Sequence, residues 1–215
     1  MAKASATSPP PAPTRRRRPS VDITTDLLDA AAIEFAAHGF DGASTRRIAG
    51  RAGAHQPQIN YHFDSKEHLW QETVTRLFDL MEIEGDVGTG GRDLVHTLAE
   101  TLRRFIHFSA EHPELNRIIN LEATAPSLRL AWLTSTHLRP LYELMDVTWT
   151  EIRAAGAGAD LTTAEVWELT TGFGALHFAN EPMHEMLGIS SGTGRAEADR
   201  HADRLLALLV PGLEA

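Results

Sequence analysis

The sequence predicts an all-α fold: a small three-helix head at the N-terminus, followed by a bundle of about six helices. Three observations predict it. Apolar residues recur at three- and four-residue spacing through almost every segment after Ser20, and no stretch alternates with a period of two. Helix-ending residues punctuate those segments at Gly39, Gly53, Gly85 to Gly91, Pro113, Gly156 and Pro182. Around Gly53, two short amphipathic segments stand at the spacing of a helix-turn-helix.

The first helix is expected from about Ser20 to His38. Ile23, Leu27, Ala30, Ala31, Glu34 and Phe35 form its stripe, and Gly39 ends it. A second helix starts at a Ser44/Thr45 cap and reaches Ala52, with Ile48, Ala49 and Ala52 turned inward. Gly53 supplies the bend. A third runs from about His55 to Tyr61, with Ile59 and Phe63 inward and Pro57 in its first turn, where a missing N–H costs least. Asp64-Ser-Lys-Glu67 reads as a capping box for a fourth helix, which Leu69, Trp70, Val74, Leu77, Phe78 and Met81 carry to about Glu84. A fifth covers Arg92 to about Ala110 and a sixth Glu114 to about Glu122. The seventh spans Pro126 to about Ala155, bent at Pro140. Thr162-Thr-Ala-Glu165 caps an eighth that ends near Asn180, where Pro182 breaks it. After a short turn a ninth runs from Arg195 to Leu209.

Two short helices joined by a Gly-containing turn pack nearly perpendicular, so the second can enter a major groove. The polar residues suit that use. Thr45, Arg46 and Arg47 sit on the first turn of the leading helix, where free amides and a capping hydroxyl fit a phosphate oxygen. Gln56, Gln58, Asn60, Tyr61 and His62 decorate the second helix beside Pro57, and amides pair well with adenine edges. Lys66 follows as a point charge for the nucleic-acid backbone. A double-stranded DNA partner is therefore expected.

The stretches Glu34-Phe35-Ala-Ala-His-Gly-Phe40, Thr45-Arg-Arg-Ile-Ala49, Ala52-Gly-Ala54 and Tyr61-His-Phe-Asp-Ser-Lys-Glu-His-Leu69 occur in the order and spacing of a known family. Over roughly residues 21–70 the chain resembles the tetracycline-repressor (TetR) family of transcriptional regulators. The resemblance implies that Arg46 stands where the tetracycline repressor reads a base with arginine. It matches Gln56-Pro57 to a Gln-Pro pair in that protein's recognition helix. It also puts Tyr61, His62 and Lys66 where family members touch bases or phosphates. Asn60 departs from the pattern, since the family often has Tyr at that position. The remainder of the chain is similar in length and helical pattern only.

Composition fits a regulator. Net charge is −9, but residues 1–70 carry +2 and residues 71–215 carry −11. Local field governs phosphate attraction, so the basic part can face a duplex while the acidic part points away. There is no cysteine, which excludes disulfides, thiolate metal sites and a cysteine nucleophile. No apolar run approaches the ~18 residues that span a bilayer, and the arginines near the N-terminus are not followed by a signal-like apolar stretch. A cytoplasmic protein with no membrane partner is expected, from a bacterial source suggested by high Ala, Arg and Gly usage.

Residues 20–66 are read as the DNA-binding domain and 67–215 as a ligand-binding and dimerisation domain. Aromatic residues at helical spacing nominate an effector pocket lined by Phe78, Phe105, Phe108, Trp132, Trp149, Phe173, His177 and Phe178. In the resembled family the last two long helices of each subunit form a four-helix bundle. This implies a homodimer interface at Val166, Leu169, Phe173, Ala198, Ala202, Leu205 and Leu209. The expected function is a dimeric regulator, most simply a repressor released from a palindromic operator by a small hydrophobic effector. A ligand-independent activator or architectural DNA binder stays open, as does a helical-bundle enzyme. No catalytic residue is nominated, because no nucleophile elbow or phosphate-binding loop is present. No cofactor is expected. Eleven histidines raise the question of a metal. None is expected, because His107 and His112 do not share a helix face and Pro182 separates His177 from His184.

Residues 1–19 hold five prolines and the run Arg15-Arg-Arg-Arg18, and read as a disordered basic arm. Such an arm adds phosphate or minor-groove contacts. Deleting residues 1–18 should weaken DNA binding and flatten its dependence on salt, as read from affinities measured across a range of salt concentrations.

Overall fold

The computed structural model describes residues 23–81, 91–189 and 194–212, with side chains of the second stretch described from Leu94 onward. The N-terminal arm and the Gly85–Gly90 connector lie outside the described residues. Ten helices and no strand are present among the described residues. The head holds α1 (Ile23–Gly42), α2 (Thr45–Arg51) and α3 (Gln56–His62). There follow α4 (Lys66–Leu80), α5 (Gly91–Glu111) and α6 (Pro113–Glu122). Helix α7 covers 128–154 and α8 covers 163–179, each with a π-helical segment inside it, at Thr134–Leu138 and Leu169–Ala175. Helices α9 (Glu181–Met186) and α10 (Arg195–Leu209) complete the body.

Most expected elements are present, with physically sensible shifts. Gly39 (φ 65°) breaks the helical geometry inside α1, and Gly53 (φ 68°) makes the turn between α2 and α3, both in the left-handed region that favours glycine. The cap of α4 is Ser65 rather than Asp64, its hydroxyl accepting from the His68 N–H at 3.0 Å. Thr162 and Glu165 form the reciprocal box that opens α8. Pro182 ends nothing by itself. It sits in the first turn of α9, where no N–H is needed, so a tenth helix replaces the expected turn. Pro140 lies just beyond the π segment of α7, in which the Arg139 N–H bonds Thr134 O five residues back.

Two apolar clusters hold the molecule together. The first joins Leu27, Phe35, Ile48, Ile59 and Phe63 of the head to Leu69, Trp70 and Val74 of α4, Leu115 and Ile118 of α6, and Leu133 of α7. The second centres on α5, where Leu94, Leu98, Leu102 and Ile106 meet Ile152 of α7, Val166 and Phe178 of α8, and α10. Ala198, Ala202, Leu205 and Leu209 recur on one side of α10 and are fully buried against this spine. Each such leucine contributes about 1.5–3 kcal/mol by leaving water. Five of the seven residues expected at a dimer surface are thus interior to the single chain. Val166, Ala198, Ala202, Leu205 and Leu209 have no exposed surface in the single chain, and Leu169 and Phe173 pack partly against the same core. Helical periodicity identified the buried face; what buries it is α5 of the same chain.

A charged clamp fixes the head. The Glu34 side chain is 2% exposed. It accepts hydrogen bonds from the Ser44 N–H at 2.9 Å and from Arg47 Nε at 2.6 Å. Arg47 also donates to Gly42 O at 2.9 Å. Burial by itself would raise the Glu34 carboxyl. The hydrogen bonds from Arg47 and Ser44, with the charges of Arg47 and His38, outweigh burial and hold its pKa below the ordinary 4.5. A carboxyl depressed in the folded state stabilises the fold above its unfolded pKa, and that contribution is lost as pH falls through the folded value. The clamp should therefore contribute in full above about pH 5 and fade in more acid solution. Arg47→Ala strands a buried charge and should cost on the order of 1–3 kcal/mol at neutral pH. Urea unfolding should show this as a lower midpoint, and Glu34→Gln should flatten the acid limb of stability against pH.

Candidate DNA-reading head and effector cavity

In the head, α2 lies against α1 and α3 lies against α2. Ile48 and Ala49 anchor α2, and Ile59 with Phe63 anchors α3, all buried. That leaves a polar outer surface. Arg46, Gln56, Pro57 and Asn60 are exposed, Tyr61 is 85% exposed, and Thr45 is half-buried. The remaining nominated residues are already engaged. Arg47 is held by Glu34, which makes it a positioning residue of the head rather than a free phosphate ligand. Gln58 accepts from the His55 N–H at 2.8 Å, capping its own helix. His62 is half-buried, its Nδ1 3.3 Å from Thr24 Oγ1. Lys66 reaches Asp41 O at 3.4 Å and lies 4.8 Å over the Phe40 ring. Sequence reasoning passed over Arg51 and His55, both exposed at the ends of α2 and α3. Their position beside the Gly53 turn was the available signal.

The body encloses a cavity of about 410 Å³. Phe78 closes one side. Leu98, Leu102 and Phe105 of α5, Ile119 of α6, Leu138, Leu141 and Met145 of α7, and Trp167 and Leu176 of α8 supply apolar wall. Thr97, Thr101, Asn116, Thr148 and Thr170 add neutral polar groups, and Glu168 is the exposed acid among the lining residues. Thr170 is buried with its hydroxyl lacking a hydrogen-bond partner. The π segment of α8 contributes Thr170, Thr171 and Gly172, so the irregular stretch of that helix is cavity wall.

Of the nominated pocket residues, Phe78 and Phe105 line this cavity, and six do not. Trp149 is 2% exposed and donates its indole N–H to Leu161 O at 2.9 Å, a core role. Phe108 and Phe178 are core as well. Trp132 packs edge-on against Trp70, with ring centroids 5.5 Å apart. Phe173 and His177 turn instead toward His201. Most of the nominated aromatic rings fill core space instead, while aliphatic and hydroxyl side chains make up most of the cavity wall beside Phe78, Phe105 and Trp167. The α7 positions Leu138, Leu141, Met145 and Thr148 share a helix face in sequence and were the missed signal.

Residues 27–73 match the family model described as bacterial regulatory proteins, tetR family. The chain is 29% identical over 126 residues to the helix-turn-helix-type transcriptional regulator YdgC of Bacillus subtilis (strain 168), covering 55% of this chain and 65% of that protein. It is 27% identical over 115 residues to the transcriptional repressor AcnR of Corynebacterium diphtheriae, covering 50% of this chain and 54% of the repressor. These matches therefore span less than two thirds of either relative. In fold, the chain is similar to AibR, solved with isovaleryl coenzyme A and operator DNA, at a TM-score of 0.69 and 17% identity over 88% of this chain and 99% of that one. No helix among the described residues is long and apolar enough to cross a membrane. Its N-terminal helices and their motifs thus match the tetR family of bacterial regulatory proteins over residues 27–73, and the chain as a whole has the all-α fold of such regulators.

Proposed function

We propose that the chain works in the cytoplasm as a dimeric, sequence-specific repressor, released from a palindromic operator by a small and mainly hydrophobic effector. Residues 20–66 form the reading head in this proposal, and 67–215 bind effector and partner. The observation that carries it is the cavity: its α6 wall, with Leu115, Asn116 and Ile119, belongs to the same helix that packs against α1 of the head. An effector preferring one placement of α6 would bias the placement of α1, and release DNA only by as much as it prefers that placement.

The cavity's chemistry sets the effector class. Its apolar walls favour an aliphatic or aromatic body, and its threonines and asparagine suit one neutral polar end. A dimer is supported by unburied apolar surface near the C-terminus. Met183, Met186, Leu187 and Ile189 are exposed on α9 and the turn after it, as is Leu208 on the outer side of α10. A second copy covering them would also supply the second head that a palindrome requires. For base reading we favour Arg46, Gln56, Asn60 and Tyr61, with Thr45 and Lys66 on phosphates. Pro57 and the less available His62 and Gln58 complete the surface.

Selection of genomic DNA fragments by the purified protein should recover a short palindrome. Arg46→Ala and Tyr61→Ala should each weaken binding to it by on the order of 1–3 kcal/mol while leaving thermal unfolding unchanged, because both side chains are exposed. Recovery of the same fragments by the double variant would refute the assignment of the head. Leu141→Trp should fill the cavity, abolish binding of an environment-sensitive apolar dye and leave operator affinity intact. Undiminished dye binding would place the effector elsewhere.

A further inference from the structure

Three imidazoles from three helices converge beside the cavity wall. The rings of His177 on α8 and His201 on α10 stack with centroids 4.5 Å apart, and the His184 ring of α9 lies 5.0 Å from that of His177. Glu197 stands one turn before His201 on α10. One ligand atom from each of His177, Glu197 and His201 lies within 4.8 Å of the other two.

Each ring holds a buried nitrogen with no hydrogen-bond partner. His201 Nε2 is 2.5 Å from the carbonyl oxygen of Phe173, which can only accept, so Nε2 carries the proton and Nδ1 presents a lone pair. That Nδ1 is buried without a hydrogen-bond partner, and so are His177 Nε2 and His184 Nδ1. Buried polar atoms are rarely left unpaired, and three at one place ask for a common partner. An imidazole that donates one N–H to a backbone carbonyl while offering its other nitrogen is arranged as metal-bound histidines are. The Phe173 ring stacks on His201 with centroids 4.2 Å apart and holds it in that orientation.

We propose that His177, Glu197 and His201 bind a divalent transition-metal ion of the zinc class, leaving a fourth position open to water beside His184. Nitrogen donors with one carboxylate and no thiolate favour Zn²⁺, Ni²⁺ or Co²⁺ over the oxygen-seeking Ca²⁺ and Mg²⁺. Zinc–nitrogen bonds of about 2.0–2.1 Å put tetrahedral neighbours roughly 3.3 Å apart, so the ion draws these side chains inward. Arg200, itself exposed, pairs with the largely buried Glu197 side chain, so the ion takes one carboxylate oxygen and leaves the other to Arg200. Bound there, the ion ties α8 to α10 next to Leu176, a cavity residue. It would thereby stiffen the wall against which an effector rests. This site stands on its own geometry and does not depend on the reading of the head.

The test is zinc binding to the full-length, chelator-stripped protein, followed by competition with a chromophoric chelator, and Co²⁺ loading followed by visible absorption. The expected result is one Zn²⁺ per chain and a Co²⁺ spectrum of low coordination number. His177→Gln, His201→Gln and Glu197→Gln should each weaken binding about tenfold or more, whereas His96→Gln, at an exposed site away from the cluster, should not. Circular dichroism checks that each variant is folded, and Glu197→Gln decides if a histidine variant is not. Absence of saturable Zn²⁺ binding to the wild type would overturn the proposal. So would unchanged affinity in folded Glu197→Gln, or one tightly bound ion retained by the folded His177→Gln/His201→Gln pair.

Discussion

One buried carboxylate organises the head. Glu34 leaves α1 at the point where the chain must turn twice within a few residues, at Gly39 and again before Thr45. It accepts from the first turn of α2 and from Arg47, so α2 cannot swing without stranding a charge away from water. The direction of α2 sets that of α3, since the two are joined by a tight turn of residues 52–55 that pivots on one left-handed glycine, Gly53. The exposed side chains of α3 thus inherit their placement from a residue that touches none of them.

The body has a comparable dependence on α5. That helix meets α6, α7, α8 and α10, and Phe105 packs against both apolar clusters as well as lining the cavity. The cavity is therefore not a flaw at the edge of the core but a gap between its two halves. Arg129 of α7 ties the head to the adjoining helices of the body. It lies 3.9 Å over the Phe40 ring of α1, pairs with the buried Glu122 of α6 at 3.1 Å, and approaches Glu67 of α4 at 3.8 Å. Relative motion of those helices must break or re-form this contact set together.

The head was legible in sequence because its information is local. Caps, glycines at fixed offsets and a run of contiguous motifs all fall within residues 34–69. The body was legible as helices but not as surfaces. Periodicity marks Ala198, Ala202, Leu205 and Leu209 as one face, yet nothing in their spacing says whether α5 or a second chain covers it. Aromatic content nominated Trp149 and Phe178 for a cavity that aliphatic residues of α7 actually bound. The engagement of Arg47 by Glu34 joins positions thirteen apart on different helices, and the meeting of His177 with His201 spans twenty-four residues and two turns. Such pairings are products of packing, which spacing within one helix does not record.

The two π segments carry a consequence for how this cavity can change. A π turn is what an α-helix becomes when it accommodates one additional residue without shifting either end, so α7 and α8 each hold a local surplus of chain beside the cavity. Removing one residue from such a turn restores a regular helix and rotates the wall by about 100° for the length of that turn, while the anchored flanks keep their register. Single-residue deletions at 134–138 or 169–175 thus offer descendants of this chain a way to redraw the inner lining in one step, with the α5 spine and the head untouched. Substitution alone would have to alter the same surface one side chain at a time.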